Sequence, residues 1–212
     1  MNNKSPDLTL IGPTCIGKGF MTRLLVDYFA EAYNKIIGVI SMGDEVRQRF
    51  KDDLDFKFNY LPMVKAGNFV PELEICPMFA KRAQQVIGKC NMIVDDGFCR
   101  TPHQVGYAYE NGFLGEGSVT VIMHASEGTC LHRFHDRNKR NGKRHEDETA
   151  FRYRYRLHQD SLDAVQRALN TTTKTKVVHI DCNGDLEHTV FPDIRAAAEI
   201  VGIKEHARRE GG

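Results

Sequence analysis

Gly12-Pro13-Thr14-Cys15-Ile16-Gly17-Lys18-Gly19-Phe20 follows the apolar run Leu8-Thr9-Leu10-Ile11 and precedes Leu24, Leu25, Tyr28 and Phe29 at helical spacing. The stretch contains G-x-x-x-x-G-K between a strand and an amphipathic helix. In that setting backbone N–H groups turn inward around phosphate oxygens, and the helix N-terminus favours negative charge. Gly17 and Gly19 allow a close approach, and Lys18 supplies a point charge for transferring phosphates. Composition alone yields the motif in roughly one chain in twenty, so the flanking strand and helix decide against a plain strand–turn–helix connection. No Ser or Thr follows Lys18, so the usual magnesium-ligating hydroxyl is missing.

Outward from this loop, short apolar runs recur at Ile36–Ile40, Met92–Val94, Val119–Met123 and Val177–Ile180. Helical patterns at about 43–53, 71–88, 101–112, 126–139, 147–170 and 186–200 lie between and after them. This alternation predicts an α/β fold, a five-stranded parallel sheet flanked by helices. The strands are apolar throughout, as strands covered on both faces require. Such sheets bind ligands beyond the C-terminal strand ends, which places the chemistry just after residues 11, 40, 94, 123 and 180.

The 212 residues make one domain, or one with a mobile insert; 41% hydrophobic and 27% charged residues exclude wholesale disorder. Lys and Arg number 29 against 28 Asp and Glu, so no whole-chain field attracts nucleic acid or membrane. No apolar run approaches the ~20 residues of a spanning helix. The polar start without a secretory signal leads us to expect a cytoplasmic protein. Cysteines 15, 76, 90, 99, 130 and 182 contain no Cys-x-x-Cys, which argues against a zinc site or disulfide framework and for reduced thiols.

Each later strand end carries further candidates. Ser41-Met42-Gly43-Asp44-Glu45-Val46-Arg47 turns into a helix, where Arg47 is either a ligand or a solvated charge. Asp95 and Asp96 stand where a carboxylate holds Mg²⁺ waters beside bound phosphates, or where it caps a turn. Arg133 and Arg137 share one helix face. Asn138-Lys139-Arg140-Asn141-Gly142-Lys143-Arg144 follows, and then Arg152, Arg154 and Arg156. Read alone, this is a basic surface or an RNA-binding stretch. Beside a phosphate loop, it is a set of guanidiniums converging on a phosphoryl group. Neutral overall charge and few aromatics argue against RNA.

In order, these segments resemble the nucleoside monophosphate kinases of the adenylate kinase family, over essentially the whole chain. Gly12 to Gly19 resembles G-x-P-G-x-G-K-G-T, with Thr14, Cys15 and Phe20 replacing Pro, Gly and Thr. Ser41-Met42-Gly43-Asp44-x-x-Arg47 resembles S-T-G-D-x-L-R, and Met63 to Pro71 resembles M-x-x-G-x-L-V-P. Asp96-Gly97-Phe98-Cys99-Arg100-Thr101-x-x-Gln104 resembles D-G-F-P-R-T-x-x-Q, with Cys99 for Pro. Arg133-x-x-x-Arg137 and Gly142 to Asp147 resemble the two edges of the lid, and Ile180 to Gly184 the turn beside the donor's adenine.

The resemblance implies transfer of the γ-phosphoryl of Mg-ATP to a nucleoside monophosphate, with AMP favoured by Gln104. It implies Lys18, Asp96, Arg100, Arg133, Arg144 and Arg156 as catalytic residues. Arg156 is chosen because it begins an Arg-Leu pair, with Arg152 as its alternate. ATP would bind Gly12, Thr14, Cys15, Ile16, Gly17, Lys18, Gly19, Phe20, Arg133, Arg137 and Gly184. The monophosphate would bind Ser41, Met42, Arg47, Asn68, Val70, Gly97, Arg100, Gln104, Arg144 and Arg156. Asp96, with Asp95 second, would organise Mg²⁺ through water rather than ligate it. The expected layout is a core of 1–40, 73–136 and 148–212, a monophosphate-binding insert at about 41–72 and a short lid at about 137–147. A monomer without nucleic-acid or membrane partners is expected. Phe20 reads as a helix packing residue. Two other functions fit the departures: a UMP, CMP or other monophosphate kinase, and a non-catalytic nucleotide-binding relative.

Overall fold

The computed structural model describes residues 7–141 and 147–202. Five strands, β1 (Leu8–Ile11), β2 (Ile37–Ser41), β3 (Met92–Asp96), β4 (Val119–His124) and β5 (Lys176–Asp181), form one sheet in the order β2-β3-β1-β4-β5. All four pairings are parallel. The helices are α1 (Lys18–Tyr33), α2 (Met42–Asp52), α3 (Leu54–Lys65), α4 (Glu72–Val86), α5 (Pro102–Glu110), α6 (Glu127–Asn141), α7 (Glu148–Thr172) and α8 (Phe191–Gly202).

Alternate strand residues feed two cores. Leu8, Leu10, Met92, Val94, Val119 and Val121 pack with Met21, Leu25 and Phe29 of α1 and Ile194 and Ala198 of α8. Ile11, Ile40, Ile93 and Ile122 pack with Phe79 of α4, Val105 of α5 and Val165 and Leu169 of α7. The expected parallel sheet is therefore present and covered on both faces, which is why its strands carry no polar alternation. With β1 in the centre, the chain reverses its winding beside β1, and a crevice opens at the C-terminal ends of β1, β3 and β4.

Three details differ from the sequence expectation. β3 runs on through Asp95 and Asp96, because the Asp95 position pairs with Thr9 on one side and Ile40 on the other. The helix expected from 186 begins as a π turn, Leu186–Val190, before α8. Phe191 N–H reaches Leu186 O there, and Pro192 lacks the N–H that an unbroken α-helix would use. Helix α3 carries no recognisable stripe, since Leu54 and Phe58 both face solvent. It starts because Asp53 accepts from Phe56 N–H at 2.8 Å.

Gly67, in the loop between α3 and α4, has φ of 96°, and a Cβ there would stand 2.6 Å from Ala150 O of α7. The backbone partner cannot yield as a flexible side chain would. Gly67→Ala should therefore lower stability by about 1–3 kcal/mol, measured by urea unfolding.

Candidate functional site

A cleft of about 1870 Å³ opens over the C-terminal strand ends. Its floor is the loop between β1 and α1. Cys15 has φ of 61° and Gly17 φ of 117°, so the chain turns left-handed twice before entering α1. A Cβ on Gly17 would meet Leu186 of the π turn at 2.8 Å, so glycine lets that turn close on the loop. Lys18 opens α1 and is 9% exposed. Its Nζ donates to Gly12 O at 2.7 Å and Pro13 O at 3.0 Å. Burial pulls the ammonium down to about 8; Asp96 opposes the shift and Arg100 adds to it.

At the end of β3, Asp95 and Asp96 separate into different environments. Asp95 is 1% exposed, its Oδ1 accepts from Phe98 N–H at 3.3 Å, and its Oδ2 has no hydrogen-bond partner. Burial holds its pKa well above the usual carboxylate range. Asp96 instead lines the cleft, and its Oδ2 is 3.4 Å from where a Gly19 side chain would begin. A hard carboxylate oxygen beside a phosphate loop suits magnesium's water shell. Asp96 fits that ion, and the buried Asp95 does not reach the cleft.

Arg100 also lines the cleft. Its Nε donates to Gly97 O at 2.7 Å, and burial lowers its pKa. Gln104 is 4% exposed, with Oε1 accepting from Arg100 N–H at 2.9 Å. Ser41, Met42, Arg47, Asn68, Val70 and Gly97 line the same cleft. Arg47 turns back on Asp44 at 2.5 Å, and Met42 is buried under the cleft wall. From α6, Arg133 reaches three carbonyls at 2.8 Å: Ile16 of the loop, Cys182 and Gly184. Arg137 lines the cleft with its guanidinium 5.9 Å from the Phe134 ring centre.

Thr14 to Phe20, Arg133, Arg137 and Gly184 are thus brought together at one side of the crevice. Gly12 lies behind them and contributes its carbonyl to Lys18. Phe20 is both things at once: it packs against the core and lines the cleft, with Arg23 5.6 Å over its ring. Arg144 lies outside the described residues.

Arg156 is not brought in. It is exposed and absent from the cleft lining, which Arg154 joins instead. Two residues along a helix turn about 200°, so Arg156 points away from any site Arg154 faces. Arg154 donates to Val64 O at 2.8 Å and Gly67 O at 3.3 Å. Arg152 pairs with Glu127 and Glu148. The signal lay in the phase of α7: Phe151, Tyr155 and His158 are its buried positions, and Arg154 follows Asp147 and Ala150 along the cleft edge. Phe69, at the leucine position of the resembled M-x-x-G-x-L-V-P stretch, also lines the cleft, as do Arg23 and Leu186, which fall in no motif.

Behind the floor, His158 is 5% exposed, its Nε2 lacks a partner, and burial drives its pKa to about 3, helped by Lys18, Arg100 and His124. None of the six cysteines is in a disulfide. Among the described residues no helix is long and apolar enough to cross a membrane.

No family model matches the chain. It is 26% identical over 153 residues to the adenylate kinase of Clavibacter michiganensis subsp. michiganensis, covering 71% of this chain and 73% of that protein. It is 27% identical over 162 residues to the adenylate kinase of Pseudarthrobacter chlorophenolicus, covering 74% and 80%. With the adenylate kinase of Renibacterium salmoninarum it shares 26% over 160 residues, covering 74% and 79%.

A histidine kept neutral in the fold but free to protonate when unfolded stabilises only above its unfolded pKa. Stability should therefore fall as pH drops below 6.5 toward 3, by about 2 kcal/mol near pH 5. Urea unfolding from pH 7 to 4 should show this limb in the wild type and a flatter one in His158→Gln.

Proposed function

We propose, from its relationship to the adenylate kinases, that this nucleoside monophosphate kinase moves the γ-phosphoryl of Mg-ATP to AMP, giving two ADP. The observation that carries the reading is the meeting of Lys18, Asp96 and Arg100 on one cleft floor, at the ends of two adjacent strands. Phosphoryl transfer requires such an arrangement, because its barrier falls through positioning and charge rather than a covalent catalyst.

In this reading the loop amides and Lys18 bind the donor phosphates, with Arg133, Arg137 and Gly184 on the donor side. Lys18 gives up one loop carbonyl to reach a phosphate oxygen. Arg47 and Arg100 receive the acceptor phosphate, and Ser41, Met42, Asn68, Val70 and Gly97 wall its nucleoside. Arg154 takes the place that the resemblance gave to Arg156. Asp96 would hold Mg²⁺ through its water shell, and the ion would supply charge neutralisation at the donor phosphates. No general base is needed, since a phosphate dianion is its own nucleophile. Closure of the 41–72 insert would exclude water that would otherwise accept the phosphoryl group; the lid expected at about 137–147 lies partly outside the described residues. Six cysteines outside any disulfide fit a reducing, cytoplasmic setting.

A magnesium-dependent coupled assay with ATP and AMP tests the reading, and nucleotide affinity without turnover would replace it with a binding role. Lys18→Met should keep the fold and abolish turnover, while turnover retained within a few-fold would remove the loop from the mechanism. Arg154→Gln should cost about 10²–10³ in kcat, and Arg156→Gln should stay near wild type. In the free enzyme kcat/KM reports the free groups. It should therefore fall above about pH 8 as Lys18 loses its proton.

Gln104 supports the choice of AMP. Its Oε1 accepts from Arg100 N–H with one lone pair, leaving the other for adenine's exocyclic amine while its amide N–H groups donate to a ring nitrogen. UMP presents N–H at the corresponding edge and should react at least about ten-fold worse. Gln104→Leu should erase much of that preference with ATP affinity unchanged. Equal kcat/KM for AMP and UMP in the wild type would favour the broader monophosphate-kinase reading.

A further inference from the structure

Arg100 is held by a backbone carbonyl and an aromatic ring. Its Nε donates to Gly97 O, and its Nη2 lies so close over Gly97 that a Cβ there would stand 2.9 Å away. Among the described residues no carboxylate forms a salt bridge with it. On its other side is an aromatic ring: the Phe69 ring centre is 4.7 Å from the guanidinium carbon. Phe69 belongs to the loop between α3 and α4, is partly buried and lines the cleft.

We propose that Phe69 is a positioning residue for Arg100, its ring face holding the guanidinium in the orientation that receives the acceptor's phosphate. The inference rests on reading Arg100 as the acceptor-phosphate ligand, and gives Phe69 a role that the resemblance did not assign to it. The physical reason is specific to an aromatic ring. A carboxylate partner would hold Arg100 equally well but would cancel the charge a phosphate needs. Leucine, which the resembled motif carries at this place, would cover the guanidinium without attracting it. A ring face attracts the cation through its quadrupole and leaves the net charge intact. Burial makes the contact stronger than it would be in water.

The same loop touches a second cleft arginine. Val64 O and Gly67 O accept from Arg154, and Tyr153 O–H donates to Asn68 Oδ1 at 3.3 Å. One short segment therefore sets the orientation of two guanidiniums, by carbonyls on the α7 side and by a ring on the β3 side.

The test measures kcat, KM for AMP and ATP, and AMP affinity by calorimetry. The proteins are wild type, Phe69→Leu, Phe69→Met and Phe69→Tyr, with Phe69→Leu repeated in Arg100→Gln. Phe69→Leu and Phe69→Met should raise the AMP KM and Kd by about 3- to 20-fold, with ATP KM within two-fold. Phe69→Tyr, which keeps the ring, should stay within two-fold of wild type in every parameter. In Arg100→Gln, Phe69→Leu should change AMP affinity no further. Unchanged AMP binding in both aliphatic variants would overturn the proposal. So would an equal loss with Arg100 absent, since the ring would then contact AMP itself, and so would a parallel loss of ATP affinity. Wild-type protein that neither binds nor phosphorylates any monophosphate would remove the kinase reading. An active wild type with an indifferent Phe69→Leu would remove only the role of the ring.

Discussion

An ammonium group with little access to water stands at the centre of this structure. Lys18 leaves the loop at the first turn of α1 and is satisfied by Gly12 O and Pro13 O, the carbonyls that β1 delivers. Desolvation disfavours its charge, and Asp96 at the next strand end restores part of it. The arrangement exists only if β1 and β3 are neighbours, if the loop turns left-handed at Cys15 and Gly17, and if α1 starts where it does. The sheet order and the π turn that packs Leu186 on Gly17 serve the same few atoms.

Around that lysine, three of the cleft arginines donate to backbone carbonyls. Arg133 donates to three backbone carbonyls, Arg154 to two, and Arg100 to one while lying against a ring. A carbonyl dipole fixes a guanidinium's plane without neutralising it, whereas a carboxylate does both. Away from the floor the rule changes: Arg152 pairs with Glu127 and Glu148, and Arg49 with Asp53 and Glu74. Arg47 stands between the two classes, reaching the cleft while bound to Asp44.

The departures from the resembled motifs carry distinct physical consequences. Cys15 replaces glycine at a left-handed position, which a side chain occupies at about 1–2 kcal/mol. Cys99 replaces proline with φ of 56°, a conformation proline's ring forbids. The Gly97–Arg100 turn therefore follows a path that proline at this position could not take. Phe20 gives up a hydroxyl and acquires a double duty, one face on the core and one edge in the cleft.

Local patterns were enough for much of this. Strand runs, helical periodicity and a Gly-rich loop are properties of neighbouring residues, and they predicted the parallel sheet, its covered faces and a site beyond the strand ends. The same holds for most cleft residues after β1, β2 and β3, because a strand end places its next few residues by itself. What the sequence did not determine depends on phase and on distant partners. Arg152, Arg154 and Arg156 are equivalent as letters; only the packing of Phe151 and Tyr155 rotates Arg154 inward and Arg156 to solvent. Asp95 and Asp96 are likewise adjacent letters, which the pleat sends to opposite fates, one buried against the Phe98 N–H and one open to the cleft. Phe69 and Arg100 lie far apart in the chain, and their contact exists only because the loop between α3 and α4 folds back over the end of β3.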